Sequence, residues 1–186
     1  MVDSFSRLEN EKKEFFLMAR TDSLSGLANR NSLQEFLDRL IPTAKRKKEE
    51  FAFLFLDLDH FKTINDSLGH NIGDELLQKI SGILKKVLRP NDFIARVGGD
   101  EFVLIIQDFK SNLELTNIIK RVQKQLSKPW VIQTHPVETT CSIGIAIFPQ
   151  DGKDQISLMK SADIAMYEAK KHGRNQYHFF TKELND

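Results

Sequence analysis

The sequence lacks the features that would place it in a membrane or in a disulfide-rich class. A single cysteine, Cys141, excludes an internal disulfide and fits a reducing compartment. The longest strongly apolar run, FAFLFL at 51–56, is far too short to cross a bilayer. The N-terminal segment MVDSFSRLENEKKEF is charged throughout and lacks the apolar core of a secretory signal. We therefore expect a cytoplasmic domain.

An excess of charge of one sign is also lacking. Lys and Arg total 27 against 26 Asp and Glu, which gives a formal net charge of +1. A dedicated nucleic-acid binder usually carries a basic surface, so this balance argues against a nucleic-acid partner. The 186 residues are enough to bury a core as one α/β domain with a terminal extension.

Apolar spacing predicts amphipathic helices in four segments, and a further, charged segment at 4–20 also has a helical pattern. In the first of the four, Asn31 is the expected N-cap with Gln34 at the reciprocal position, and Pro42 is expected to bend or end the helix early. These four helices are predicted to start at about 31 and to cover about 71–88, 111–127 and 155–172, the last ending at Gly173.

Other segments have the patterns of strands. FAFLFLDLD is apolar on both alternating faces up to Leu56, which predicts a central strand covered on both sides. DFIARV and EFVLII predict a hairpin through Gly98 and Gly99, because glycine takes a positive φ without strain. VETTCSIGIAIF predicts a long strand, expected to pair with WVIQT, and NQYHFF predicts a short closing strand. This order of elements indicates an α+β fold with a mainly antiparallel sheet.

Acidic side chains gather at the ends of two of these strands. Asp57 and Asp59 follow FAFLFL, and Asp100 and Glu101 follow the glycine pair. If the two strands are neighbours, these like charges converge and need a cation, and oxygen ligands favour Mg²⁺ or Mn²⁺ over zinc. Four solvated turn acids are the alternative. A calcium-binding EF loop is excluded, because Lys62 stands where that loop requires glycine.

Two further groups of polar residues allow both a binding and a structural interpretation. Asn65, His70 and Asp74 lie in a glycine-punctuated loop that leads to a helix. An amide and a carboxylate together suit a guanine edge, but Asn65 and Asp74 also suit helix caps. Lys170 and Arg174, four apart at the end of the last predicted helix, either complement the helix dipole or clamp phosphate oxygens. The residues alone leave both alternatives open.

Five motifs, in order, resemble those of the GGDEF-domain diguanylate cyclases over nearly all of residues 21–180. They are DSLSGLANR, in which Ser25 replaces the usual threonine, FLDLDHFKTINDSLGHNIGDELL, the unaltered RVGGDEF, SIGIAIFPQDG and ADIAMYEAKKHGRN. The resemblance implies a ferredoxin-like fold similar to the palm of nucleotidyl cyclases and polymerases, with a five-stranded core sheet. It also implies the condensation of two GTP molecules to cyclic di-GMP and two pyrophosphates.

The resemblance assigns the chemistry to particular residues of this chain. Asp57 and Asp100, with the main-chain carbonyl of Leu58, would hold two Mg²⁺ or Mn²⁺ ions in each half-site. Such ions would polarise the α-phosphate, neutralise the departing pyrophosphate and acidify the attacking 3′-hydroxyl. Asp100 would accept the proton, with Glu101 beside it in support.

The resemblance also implies the contacts to the nucleotide. Guanine and its ribose would be held by Asn65, His70 and Asp74. The terminal phosphates would be held by Lys170 and Arg174, assisted by backbone N–H groups at His60 and Phe61.

A second site is implied by RPND, which precedes the glycine pair and resembles the family's inhibitory R-x-x-D motif. This motif binds the product, cyclic di-GMP, away from the active site. Arg89 would engage phosphate or a guanine edge and Asp92 another guanine, with Arg121 as a candidate second arginine. An incidental Arg-x-x-Asp is the alternative.

The resemblance implies partners and a larger architecture. Each domain would bind one GTP, so a homodimer must bring two domains face to face across a two-fold axis. Residues 1–20 resemble the linker that follows a sensory domain, residues 21–180 form the expected GGDEF domain, and 181–186 resemble the junction to an EAL phosphodiesterase domain. The alternative function is a non-catalytic regulatory module that binds GTP or cyclic di-GMP.

Overall fold

The structure, a computed structural model, describes residues 2–185, which contain six α-helices and seven strands. The helices are α1 Val2–Arg20, α2 Arg30–Lys47, α3 Phe61–Leu68, α4 His70–Val87, α5 Asn112–Leu126 and α6 Gln155–Lys171. The strands are β1 Phe51–Leu58, β2 Phe93–Arg96, β3 Glu101–Ile106, β4 Trp130–Ile132, β5 His135–Val137, β6 Cys141–Phe148 and β7 Tyr177–Phe179. A 3₁₀ helix follows at Lys182–Asn185.

Strand β1 lies at the centre of a five-stranded sheet with the order β2-β3-β1-β6-β7. It runs antiparallel to both neighbours, so that Leu54 faces Leu104 of β3 and Ile145 of β6. Strand β7 pairs in parallel with β6. All eight residues of β1 are buried. The predictions of an α+β fold, of a central strand covered on both faces and of the β2–β3 hairpin are therefore confirmed. The expected reason for the hairpin was wrong, because the glycines with positive φ are Gly26, Gly69 and Gly173, and neither Gly98 nor Gly99 is among them.

The two faces of β1 bury different helices, because successive side chains of a strand point to opposite sides of the sheet. Leu54 and Leu56 join the core that contains the apolar residues of α4 and α5. Phe53 and Phe55 join the core that contains those of α2 and α6. Each fully buried side chain of this size contributes about 1.5–3 kcal/mol. The sheet is thus a rigid platform for the loops at its ends.

Helix α2 differs from its prediction both at its N-cap and at Pro42. Its N-cap is Asn29, whose side chain accepts from the Ser32 N–H at 3.0 Å, and not Asn31. Pro42 lies inside the helix, which continues to Lys47. Packing of the helix against the sheet offsets the one hydrogen bond that proline cannot donate.

The prediction that WVIQT pairs with the long strand was wrong. Strand β4 pairs instead with β5 in a separate two-stranded sheet. Gln133 and Thr134 between them both have positive φ, 49° and 74°, as a two-residue hairpin turn requires. The hairpin pairs β4 with β5, which follows it directly in the chain, and β6 pairs with β1 and β7 instead.

The segment between β1 and α4, predicted as a loop, contains the eight-residue helix α3. Only Phe61 is fully packed in it, and so short an amphipathic segment leaves little periodic signal. The predicted end of α6 is confirmed, because Gly173 follows it with a φ of +111°. Among the described residues, no helix has the length and apolar character needed to span a bilayer.

Candidate active site

The acidic residues at the ends of β1 and β3 lie side by side. Asp57 pairs with Glu101 in the sheet register, and the Leu58 N–H donates to the Asp100 carbonyl oxygen at 3.1 Å. The antiparallel register places the last residues of β1 against the first residues of β3. As the sequence predicts, Asp57, Asp100 and Glu101 converge at one edge of the sheet.

A lysine from the last helix closes this cluster. The Lys170 Nζ donates to Oδ2 of Asp57. Burial, the largest cause, raises the pKa of Asp57 to about 6, which Asp100 reinforces and Lys170 opposes. Burial also raises the pKa of Glu101, and the charge of Asp57 adds to the shift. The protein therefore holds these carboxylates close together, with the Lys170 ammonium bonded to Asp57 and the positive charge of Arg30 near Glu101.

The donor set fits a divalent cation that a nucleotide helps to bind. The Asp57 Oδ1 atom is buried and has no hydrogen-bond partner, so one lone-pair acceptor is left for a ligand. Within residues 2–185, no group of three or more His, Cys, Asp or Glu side chains could form a protein-only metal site. Mg²⁺ usually binds through one or two carboxylates together with substrate phosphates and water. Asp57 and Asp100 match that type of site.

Asp59, expected in the same cluster, does not join it. Its carboxylate accepts from the hydroxyls of Thr140 and Ser142 and from the main-chain N–H of Asn175. These donors occupy both oxygens and tie the end of β1 to β6 and to the turn after α6. The acids at the sheet edge therefore differ: Asp57 keeps an oxygen without a hydrogen-bond partner, whereas both oxygens of Asp59 accept hydrogen bonds from the protein.

The residues predicted to hold the base lie on α3 and α4. Asn65 packs so closely against Gly73 that an added Cβ would lie 1.8 Å from its Oδ1, which is buried and has no partner. His70 and Asp74 are exposed at the start of α4. The N-cap positions of α3 and α4 are His60 and Gly69, neither of which makes a side-chain capping bond, so the capping interpretation of Asn65 and Asp74 does not hold.

The residues predicted to hold the phosphates come from two turns. His60, with a φ of 58°, directly precedes α3, whose N-terminus has no side-chain cap among the described residues. Arg174 and Asn175 follow α6 and Gly173, also with positive φ. The Asn175 contact with Asp59 brings this second turn to the end of β1, beside the cluster.

The predicted inhibitory residues form a second, separate group. Arg89 donates to Asp92, whose side chain is completely buried and also accepts from the main-chain N–H of Gln107 at 3.3 Å. Arg89 is itself about a third exposed and lies 3.5 Å from Glu114. Arg121 is exposed and donates to the Val87 carbonyl oxygen at 3.1 Å, two residues before Arg89. Arg89 and Arg121 are thus both anchored at the end of α4.

A family model described as "Diguanylate cyclase, GGDEF domain" matches residues 19–176. The chain belongs to this family. The bifunctional diguanylate cyclase/cyclic di-GMP phosphodiesterase MucR of Pseudomonas aeruginosa is 41% identical over 178 residues, which cover 96% of this chain and 26% of MucR. The chain therefore spans about a quarter of the length of that relative.

Solved GGDEF domains share the fold. The GGDEF domain of TpbB from Pseudomonas aeruginosa has a TM-score of 0.85 at 34% identity, covering 89% of this chain and 96% of that one. The coiled coil and GGDEF domain of DgcB from Caulobacter crescentus, in complex with cyclic di-GMP, has a TM-score of 0.85 at 28% identity, covering 96% and 94%. The palm-like fold implied by the resemblance is confirmed.

Sequence reasoning missed the residues that hold the glycine turn of this GGDEF domain. Arg96 donates to the Gly99 carbonyl oxygen from Nε and Nη2, at 3.1 and 2.8 Å, and pairs with Asp22 at 3.0 Å. Although burial opposes it, hydrogen bonds from Ser25 and Arg96 hold the pKa of Asp22 below its usual range. Both residues lie in family motifs, Asp22 in DSLSGLANR and Arg96 in RVGGDEF, so the motifs themselves could have indicated this pair.

The raised pKa of Asp57 predicts how stability depends on pH in the absence of divalent cations. Because its pKa rises from 3.8 unfolded to about 6 folded, protonated Asp57 stabilises the fold below the lower value. That contribution is lost as pH rises to about 6, so the free energy of unfolding should fall over this window. Asp57→Asn, which cannot ionise, should lack this component.

Urea unfolding of both proteins in EDTA, across this pH window, measures the difference. The difference in slope reports Asp57 together with the part of the Glu101 shift that the charge of Asp57 causes. Equal slopes would contradict the raised pKa.

Proposed function

We propose that this GGDEF domain is a diguanylate cyclase that condenses two GTP molecules to cyclic di-GMP and two pyrophosphates. The observation that carries the proposal is the unpartnered Oδ1 of buried Asp57, next to Asp100 of the unaltered RVGGDEF signature. A buried acceptor without a donor is costly unless a ligand completes it. Membership of a family described by this activity supports the same conclusion.

The carboxylates supply the part of the site where the reaction takes place. Asp57 and Asp100, with the Leu58 carbonyl, would hold Mg²⁺ or Mn²⁺, two ions in each half-site. Bound there, the ions supply Lewis acidity for phosphoryl transfer. Asp100 would accept the proton of the 3′-hydroxyl, and the raised pKa of the neighbouring Glu101 suits a supporting role.

Positive charge and backbone donors define the phosphate end of the proposed site. Lys170 is about a quarter exposed, so its ammonium can turn from Asp57 to an arriving phosphate without crossing the core. Arg174 on the adjacent turn would form a charge-assisted contact with the terminal phosphates. The uncapped N-terminus of α3 at His60 and Phe61 adds main-chain donors.

The base would lie against α3 and α4. The buried Asn65 Oδ1 offers an unused acceptor, and a guanine edge provides N–H donors. His70 and Asp74 are exposed beside it and would complete the contacts to the base and ribose. Adenine lacks the N1–H and 2-amino donors of guanine, so acceptors that face this edge would be left unpaired by adenine, which penalises the wrong base.

Catalysis would require a homodimer, because each domain holds a single nucleotide site of this kind. Helix α1 exposes apolar side chains, with Phe15 75% and Met18 77% accessible. A second copy of the helix would bury them and could align two domains across a two-fold axis. We also propose that the domain works within a longer regulator, with a sensory domain before it and an EAL domain after it, since the relative MucR is about four times longer.

Purified protein incubated with GTP and Mg²⁺ should form cyclic di-GMP and pyrophosphate, at a rate that rises more steeply than linearly with protein concentration. Asp100→Ala should abolish turnover while the protein stays folded, because it removes both a metal ligand and the proton acceptor. Glu49→Ala, at an exposed acid just before β1 and so at the opposite end of that strand from Asp57, is the control. GTP binding without product would favour the non-catalytic alternative, and retained turnover in Asp100→Ala would contradict the metal assignment.

Gly73→Ala tests the base contact. The new methyl must displace the Asn65 side chain, since its Cβ would lie 1.8 Å from Oδ1. Affinity for a non-hydrolysable GTP analogue, measured by calorimetry, should fall about tenfold, the effect of losing roughly 1.4 kcal/mol. Gly82→Ala in the same helix α4 meets no atom within 4 Å and should bind normally. Equal affinities for the two variants would exclude Asn65 from the site.

Arg89→Ala tests the inhibitory site. Loss of this guanidinium should relieve inhibition by cyclic di-GMP without lowering the initial rate. Asp92 keeps its bonds from the main-chain N–H groups of residues 89 and 107, so the fold should persist. Arg39→Ala, at an exposed position of α2, is the matched arginine control. If product inhibits Arg89→Ala as strongly as the wild type, the motif has no such role.

A further inference from the structure

We propose that Asp59 is a positioning residue for the phosphate end of the nucleotide site. Its buried carboxylate fixes the left-handed turn that carries Arg174. The inference rests on the proposed function, in which Arg174 contacts the terminal phosphates of GTP. Asp59 itself would touch neither nucleotide nor metal.

Asp59 is buried and its carboxylate accepts three hydrogen bonds, one of which comes from the turn that carries Arg174. The residue is 2% exposed. Oδ1 accepts from the Ser142 hydroxyl at 2.7 Å, and Oδ2 accepts from the Thr140 hydroxyl at 2.5 Å and from the Asn175 N–H at 3.0 Å. Two donors come from β6 and its approach, and the third comes from the turn after α6. Hydrogen bonds to an ionised acceptor are roughly twice as strong as neutral ones.

The turn after α6 needs such an anchor because its conformation is unfavourable. Arg174 and Asn175 have φ values of 63° and 47°, and only Gly173 before them is a glycine. Left-handed backbone is unfavourable for a residue such as arginine, although asparagine adopts it more readily. Residues persist in this region only where their surroundings hold them. The Arg174 N–H donates to the Ala169 carbonyl at 3.0 Å and its carbonyl accepts from the Gln176 side-chain amide at 3.1 Å, both within the turn and the end of α6. The next N–H, of Asn175, donates to Asp59 and ties the turn to the end of β1.

The anchor also sets the distance between the two halves of the proposed site. Asp59 lies two residues beyond Asp57 on the same rigid segment, where its own N–H donates to the Thr140 carbonyl at 2.8 Å. The bond to Asn175 thereby ties the main chain beside Arg174 to the end of β1. Lys170 lies inside α6 and is positioned by the helix. Loss of Asp59 should therefore displace Arg174 and leave Lys170 in place.

The test compares binding of two ligands that share a base but differ in phosphates. Asp59→Ala should lower the affinity for a non-hydrolysable GTP analogue about tenfold, which corresponds to the loss of one charge-assisted contact. The affinity for GMP should change less than about twofold. Calorimetry with Mg²⁺ present gives both affinities. Asp59→Asn keeps one oxygen for the Asn175 N–H, while the Ser142 hydroxyl can turn to accept from the new amide. It should fold normally and restore most of the affinity.

Two controls separate positioning from loss of stability. Asp151 is another partly buried carboxylate, which accepts from the Ile147 N–H at 2.7 Å near the opposite end of β6. Asp151→Ala should lower the melting temperature without changing the ratio of the two affinities. In an Arg174→Ala background, Asp59→Ala should cause no further loss of affinity for the GTP analogue, because both changes remove the same contact.

Equal weakening of GMP and the GTP analogue in Asp59→Ala, or fully additive losses in the double variant, would reduce Asp59 to a structural role. Amide hydrogen exchange at Asn175 is an independent readout that needs no nucleotide, and unchanged protection in Asp59→Ala would refute the anchor. Failure of the wild type to bind the analogue would instead contradict the proposed function.

Discussion

The ion pair between Asp57 and Lys170 is the constraint on which the site depends. Carboxylates at the ends of β1 and β3 repel each other, and burial of Asp57 makes its charge costly. Helix α6 supplies the one ammonium bonded to this residue. A divalent cation would replace that ammonium and release Lys170 toward the phosphates. In the proposed mechanism, the Lys170 ammonium stabilises the acids of the free protein and would move to the nucleotide phosphates on binding.

Three polar contacts connect the rigid sheet to the loops around it. Arg96 holds the Gly99 carbonyl, Asp59 holds the turn after α6, and Lys170 crosses from α6 to β1. The contacts of Asp59 and Lys170 join residues 116 and 113 positions apart in the chain. Arg96 reaches Gly99 within one hairpin and also pairs with Asp22, 74 positions away. The two apolar cores beneath them contribute most of the stability, so the edge can carry uncompensated charge.

Sequence patterns predicted best the elements that are determined by residues close together in the chain. The doubly apolar β1 and the periodicity of α4 follow from spacing alone. The glycine pair marked the β2–β3 hairpin, although neither glycine has the positive φ on which that prediction relied. Pairing of β4 did not follow from spacing, because a two-residue turn with positive φ outcompeted the distant partner. The role of Asp59 could not be deduced either. Its donors lie 81, 83 and 116 residues away, and only the fold distinguishes it from Asp57.

Crystals of the domain with Mn²⁺ and a non-hydrolysable GTP analogue would test the central claim most directly. Anomalous scattering locates manganese independently of how the surrounding density is interpreted. The account predicts two manganese peaks at the carboxylates of Asp57 and Asp100, with Lys170 moved from Asp57 to a phosphate oxygen. Bound nucleotide with no manganese at these carboxylates, and with Lys170 still paired to Asp57, would contradict it.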